Sequence, residues 1–268
     1  MSGHLVSISR FAVKGLPGEF IPSASLEQGR GIQNDRRYAF ALADTDFDPL
    51  HPRPLPKINF LMQMRFARLA RLTSRYDDAT ATLTIQSPQG TLAVGRLERA
   101  EDRAMIERAI NAFMGEDLKK PVRLVQADGH RFTDVSVVSP EMMEAVSVIN
   151  LATVRDLEQR LHRPVDARRF RGNLLVDGVE PWSELDWIDR EVFIGDVRFR
   201  GALRTRRCAA TEVNPDTAER DIKLPVELMR NYKHTDLGVY LYVCADGVLN
   251  PGDAIRLSPS DNQAEERA

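Results

Sequence analysis

The chain has 268 residues, 43% of them hydrophobic and 28% charged, with a formal net charge of -2. That length and composition suit a globular protein with a core large enough to need no staples, and they exclude collagen, coiled coil and a wholly disordered chain. The longest nearly unbroken apolar run, Val239 to Ala245, has seven residues, far short of a bilayer span, so no membrane partner is expected.

In chain order, Leu5 to Ile8 reads as a short strand, broken by Gly15-Leu16-Pro17-Gly18. The stretch up to Lys14 meets polar residues too soon for a secretory apolar region. Arg37 to Leu42 is a second strand, and Pro49, Pro52, Pro54 and Pro56 then impose a loop. Arg65 to Leu72 and Thr80 to Ile85 are expected as two strands joined by a turn at Tyr76-Asp77-Asp78, with Thr91 to Leu97 as another. Met105, Ile106, Ala109, Ile110 and Phe113 share one helical face, and Gly115 follows as a stop. Lys119-Lys120-Pro121 marks a boundary. A second helix is expected from Ala152 to Leu161, capped by Asn150 and closed off by Pro164.

Strands then resume at Asn173 to Val176, Glu191 to Ile194, Val197 to Leu203, Val239 to Cys244 and Ala254 to Leu257. Turns at Asp177-Gly178, Gly195-Asp196 and Asp246-Gly247 separate several of them, and Leu224 to Asn231 is a short helix or turn. Many short strands with few helices give a mainly β, barrel-like fold class (β/α+β), and the regular alternation a doubly wound sheet needs is missing.

The two cysteines, Cys208 and Cys244, cannot form a disulfide framework, a zinc site of paired cysteines or a four-cysteine cluster. They place the chain in a reducing compartment, the cytoplasm. With no basic excess, nucleic acid is not an expected partner. Of the 37 basic residues, 31 are Arg and six Lys. Base composition explains such a bias, and so does a need for planar guanidinium forks on phosphate or carboxylate, so position must decide.

Cys208 follows Arg204-Thr205-Arg206-Arg207. Cationic neighbours favour the thiolate, the form that attacks electrophiles and binds soft metals; the alternative is a small buried residue beside a solvated basic strand. Cys244, inside an apolar run, reads as core. Arg168-Arg169-Phe170-Arg171-Gly172-Asn173 suits an anionic, hydrogen-bonding ligand or, equally, an exposed basic turn. Lys14-Gly15 and Asp35-Arg36-Arg37-Tyr38 are weak signals taken singly. Gly29-Arg30-Gly31 is too short for a phosphate loop, the five histidines have no metal-ligand spacing, nothing in the sequence pairs His234 with Cys208 as base, and no G-x-S-x-G elbow occurs.

Taken together, these stretches resemble the MOSC domain, the C-terminal domain of molybdenum-cofactor sulfurases. The matching segments are Arg169-Phe170-Arg171-Gly172-Asn173, Pro181-Trp182 through Trp187, Ile194-Gly195, Arg207-Cys208-Ala209-Ala210-Thr211 with Asn214-Pro215-Asp216-Thr217, and Leu237-Gly238-Val239-Tyr240 with Gly247 and Pro251-Gly252-Asp253. The first hundred residues resemble the β-barrel domain that often precedes it. Phe11-Ala12-Val13-Lys14-Gly15 stands where the family tends to have Tyr-Pro-Val-Lys-Ser, and Asp35-Arg36-Arg37-Tyr38 matches its Asp-Arg-Arg-Trp. The resemblance implies an N-terminal β-barrel domain at 1–118, a MOSC barrel domain at 119–260 and a polar tail at 261–268.

In relatives such as the amidoxime-reducing components, the resemblance implies that the cysteine matching Cys208 ligates molybdenum. Lys14, Gly15, Arg36, Thr153, Arg171, Asn173, Thr205 and Arg206 are then expected around the pterin and its phosphate, with Arg37 one place from the Arg36 assignment. Thr153 falls where the family often has Ser, and Gly15 replaces a Ser. The implied cofactor is the molybdenum cofactor; pyridoxal phosphate is expected only in a separate desulfurase partner. The implied activity is reduction of N-hydroxylated or other N–O small molecules, re-reduced by a separate iron–sulfur, flavin or haem protein. The alternatives are sulfur transfer through a Cys208 persulfide, with a cysteine desulfurase as partner, and a non-enzymatic cofactor carrier.

Overall fold

The computed structural model describes residues 3–258, so the expected tail at 261–268 lies outside the described residues. Among the described residues the fold is mainly β with four α-helices. Its strands are β1 (His4–Arg10), β2 (Glu19–Ile21), β3 (Ala24–Leu26), β4 (Ala39–Ala41), β5 (Thr73–Asp77), β6 (Thr82–Ser87), β7 (Gly90–Arg96) and β8 (Arg123–Val125). After these come β9 (Val146–Asn150), β10 (Leu174–Asp177), β11 (Glu191–Ile194), β12 (Val197–Arg206), β13 (Asp236–Val243), β14 (Gly247–Leu249) and β15 (Ile255–Leu257). The helices are α1 (Ala100–Met114), α2 (Pro140–Met143), α3 (Leu151–Leu161) and α4 (Leu224–Tyr232).

Eight strands form one sheet in the order β15-β11-β12-β13-β9-β10-β1-β2. The first strand therefore lies in the same sheet as strands from the far end of the sequence. Its two sides also meet. His4 bridges Ala254, Leu5 N donates to Asp253 O at 2.8 Å and Ile255 N to Gly3 O at 2.7 Å. The curled sheet wraps a core of alternating inward residues, among them Leu5, Val148, Val176, Trp187, Val192, Phe199, Leu241 and Ile255. Period-two alternation produces this: β12 buries Val197, Phe199 and Gly201 and turns Arg198 and Arg200 outward.

A second core lies among residues 12–124, where Leu83 and Ile85 of the β5-β6-β7 sheet pack against Ile106, Ile110 and Met114 of α1. β1 is tied to that hairpin by Arg10, which pairs with Glu19 at 2.8 Å and donates to the carbonyl of Tyr76.

Most expected elements fall within a few residues of their observed bounds. The helix over residues 152–161 is capped by Asn150, whose side chain accepts from Ala152 N at 3.0 Å. Two expectations fail. Residues 65–72 are not a strand: Ala67–Arg71 is a 3-10 helix. Phe66, Leu69 and Leu72 recur every third residue, and each carries the next turn, Leu69 N to Phe66 O and Leu72 N to Leu69 O. Consequently β5 itself holds Tyr76 and Asp77, and the hairpin turn moves to residues 78–81. The sequence reading also omitted β9, which is buried along all five residues.

Gly201 sets a close crossing in this fold. A Cβ there would lie 1.8 Å from the carbonyl oxygen of Trp187, backbone that cannot swing aside. Gly201→Ala is expected to cost about 3 kcal/mol, the upper range for overpacking, read as a lower urea midpoint with unchanged m-value. A midpoint equal to wild type would show that the Trp187 segment yields freely.

Candidate functional site

The site grows from three places where the chain leaves regular structure. The first is the end of β1, where Val13 bridges Tyr38 and Lys14 turns inward. The second is the loop after β8, carrying Phe132 and Asp134. The third is the turn at Phe170–Asn173 with the end of β12, from Arg204 to Cys208. Together they enclose a cavity of about 300 Å³. Eight cationic side chains line it (Lys14, Arg36, Lys57, Arg169, Arg171, Arg204, Arg206 and Arg207), against one carboxylate, Asp134.

Lys14 is buried and paired with Asp134, and its Nζ also donates to Phe132 O at 2.9 Å. Lys57 reaches the same carboxylate at 3.3 Å. Burial works against the Asp134 charge, yet Lys14 and Lys57 hold the carboxyl well below the usual carboxylate range. Lys57 Nζ lies 3.4 Å from Cys208 Sγ, so a residue of the proline-rich loop touches the thiol across the cavity.

Arg36 adopts a positive φ of 49°. Its guanidinium donates to Asn173 Oδ1 and to Arg171 O, both at 3.1 Å, and lies 4.4 Å over the Phe11 ring. Asn173 is fixed from several sides: Ser147 Oγ donates to its Oδ1 at 2.7 Å and its Nδ2 donates to Ser9 O at 3.1 Å. Arg207 is spent on backbone, with Nε on Leu237 O at 2.7 Å and Nη1 on Phe170 O at 2.9 Å, and burial pushes its guanidinium down to about 10. Arg171 differs. Its guanidinium makes no hydrogen bond or ion pair among the described residues and stacks only on Phe11, at 4.6 Å. Burial, and then the nearby Arg36 charge, push it down to about 10. The hydroxyl of Thr205 is likewise buried without a partner.

Asp35, Asp221 and Asp186, outside the lining, pair with Arg36, Arg169 and Arg204, and the remaining cationic excess favours an anion, offers it two poorly satisfied donors and sets a thiol in the same wall. Among the described residues no cluster of three His, Cys, Asp or Glu side chains could hold a metal, and Cys208 is the one thiol in the cavity lining.

Residues 127–256 match the family model of the MOSC domain. The chain carries a MOSC domain. Relatives matched over its sequence are mitochondrial amidoxime-reducing component 1 of Mus musculus, 33% identical over 41% of this chain and 35% of that protein, and that of Homo sapiens, 30% identical over 41% and 36%. Mitochondrial amidoxime reducing component 2 of Rattus norvegicus is 34% identical over 41% and 36%. The match thus spans only about a third of these relatives' length. Among solved structures, the chain is similar to YiiM from Geobacillus stearothermophilus (TM-score 0.34, 19% identity, 42% of this chain and 54% of that one). It is also similar to the YUAD protein from Bacillus subtilis (TM-score 0.44, 8% identity, 96% of each chain).

Of the residues singled out from sequence, Lys14, Gly15, Arg36, Arg171, Asn173, Thr205, Arg206 and Cys208 all line this cavity. Arg37 does not: it turns to Asn34 Oδ1 at 2.9 Å. Thr153 also lies apart, fully buried at the start of α3, donating to Glu184 Oε2 at 2.8 Å and accepting from Trp182 N at 2.7 Å. Gly15 sits at a φ of +85°, where a Cβ would meet Leu61 O at 2.2 Å, so this backbone excludes the family's Ser. Sequence reasoning missed Lys57 and Asp134. The only signal for Lys57 was that it is one of six lysines.

Asp134→Asn removes the sole carboxylate facing two lysines. Asp134 keeps 47% of its side chain exposed, so the loss is expected to be modest, about 1–2 kcal/mol at pH 7. A carboxyl depressed in the folded state stabilises above its unfolded value of 3.8 and loses that contribution as pH falls further. The gap between wild type and variant in denaturant titrations should therefore close on acidification through that range; a constant gap would mean the pair contributes nothing through charge.

Proposed function

We propose that this MOSC protein binds the molybdenum cofactor through Cys208 and reduces N-hydroxylated or other N–O small molecules. The observation that carries this reading is the cavity itself, one thiol in a wall of eight cations and a single carboxylate. The donor set fits the group. Arg171 and the Thr205 hydroxyl are short of partners, as expected of groups whose acceptor is a phosphate or a pterin heteroatom. A thiolate suits molybdenum as a soft ligand.

When bound, the cofactor would supply a metal able to deliver two electrons to an N–O bond, whose oxygen would leave as water with two protons taken from solvent. The chain's own residues do the rest. Lys14, Arg36 and Arg171 neutralise the phosphate end, with Asn173 holding Arg36 in place. The Lys57 ammonium donates toward Cys208 Sγ. Thr205 and Arg206, on the strand that leads to Cys208, face the ligand. A separate iron–sulfur, flavin or haem protein renews the electrons, since two cysteines cannot hold a four-cysteine cluster and no dinucleotide fingerprint follows a strand. The Lys57 contact also supports a second reading, in which Cys208 carries a persulfide delivered by a separate pyridoxal-phosphate desulfurase. The named relatives favour the first. No described helix is long and apolar enough to cross a membrane.

Metal analysis of protein made in a cofactor-producing host tests the ligand. Cys208→Ala should lose its molybdenum and Cys244→Ala keep it; equal metal in both overturns the assignment, and a metal-free Cys208 persulfide selects sulfur transfer. Retention on dialysis tests the phosphate end. Arg36→Ala or Arg171→Ala should weaken it roughly ten- to a hundred-fold, the value of a lost charge-assisted hydrogen bond, while Arg37→Ala behaves as wild type. Activity tests the electron route: the isolated protein should be silent with NADH alone and turn over an N-hydroxylated substrate with reduced viologen. Turnover with NADH, free of contaminating reductase, would refute the need for a partner.

A further inference from the structure

Behind Arg171 lies a second cavity, of about 410 Å³. It shares Gln63, Arg169 and Arg171 with the first cavity but contains neither Cys208 nor any residue of the strand leading to it. Its walls are of another kind: Phe11, Phe20, Leu72, Leu175, Val213 and Pro215 supply apolar surface. Phe20 stands at the rim with 67% of its surface exposed. Gly18 lets the floor close, since a Cβ there would lie 2.7 Å from the Phe11 ring.

The charges around this apolar space do not balance. The only carboxylate in its lining, Asp216, is taken by Arg168 at 2.8 Å. Arg171 has no acceptor and Arg71 has no ion pair among the described residues; Arg169, whose side chain is 3% exposed, is paired with Asp221 at 2.7 Å but keeps a buried Nε without a partner. A buried donor left unsatisfied is costly, and apolar walls with a few converging donors are the usual make-up of a small-molecule site.

We propose that this second cavity is a binding site for a small aromatic carboxylate. Its ring lies among Phe11, Phe20, Leu72 and Leu175, and its carboxylate pairs with Arg171 and Arg71. The site does not depend on the cofactor reading, because its apolar half is not shared with the first cavity. It does adjoin the first, since one guanidinium, that of Arg171, faces both.

Calorimetric titration of the purified protein with 2-naphthoate, against the neutral isostere 2-naphthamide, tests this. The carboxylate should bind at least about ten-fold more tightly, as one charge-assisted contact requires. Arg71→Gln, an exposed change outside the lining of the first cavity, should remove most of that preference. Phe20→Ala should weaken both ligands, and Arg206→Gln, which alters the first cavity alone, should leave both unchanged. Absence of binding at millimolar naphthoate, or equal affinity for the two ligands, would overturn the proposal. So would loss in Arg206→Gln with none in Arg71→Gln, which would place the ligand in the first cavity.

Discussion

Like charges gathered in one cavity repel one another, and the cavity of this protein gathers eight cations around one carboxylate. The surrounding structure is organised to bear that repulsion. Carbonyl oxygens absorb much of it: Phe132 O serves Lys14, Arg171 O serves Arg36, and Leu237 O with Phe170 O serves Arg207. Asp134 sits between the two lysines. Arg171 is left with only the face of Phe11, so an attraction for anions is built into the fold.

Neither half of the sequence builds this site alone. Lys14 and Arg36 come from segments flanking β1 and β4, Lys57 from a proline-rich loop, and the thiol from the end of β12. Arg220 fastens the two sides from outside, donating to Met64 O at 2.6 Å and to Ala209 O at 2.7 Å. Its carbonyl acceptors belong to the segments that carry Met64 and Ala210 into the cavity wall. The geometry around Cys208 thus depends on contacts between residues more than a hundred positions apart.

The strands of the curled sheet were readable because they alternate and are bounded by Gly and Asp turns. β9 was not, because a strand buried along its whole length, running straight into a helix, shows neither alternation nor a turn. The 65–72 segment misled because apolar residues at spacing three resemble a strand when read only for hydrophobic content. At the site, the Arg-Arg-Cys and Phe-Arg-Gly-Asn strings stood out as local patterns. Lys57 and Asp134 have no such pattern. Their importance arises only where the loop and the Phe132–Asp134 segment converge, and a single sequence carries no trace of that meeting. Thr153 shows the converse: a small polar residue in a family-like position whose hydroxyl is consumed by Glu184.

The seam between residues 3–5 and 252–255 has a consequence for how the protein is made. Residues 3–5 meet residues 252–255 only once both segments have been synthesised. Until then β1 can pair with β10 and β2, but the sheet stays open on one side, with apolar Leu5 and Ile255 lacking their shared cover. Closing so long a loop adds little entropic penalty beyond that of a loop half its length, yet contacts of this sequence separation slow folding. Until that contact forms, the nascent chain presents an unpaired edge of the kind that chaperones recognise and aggregation exploits.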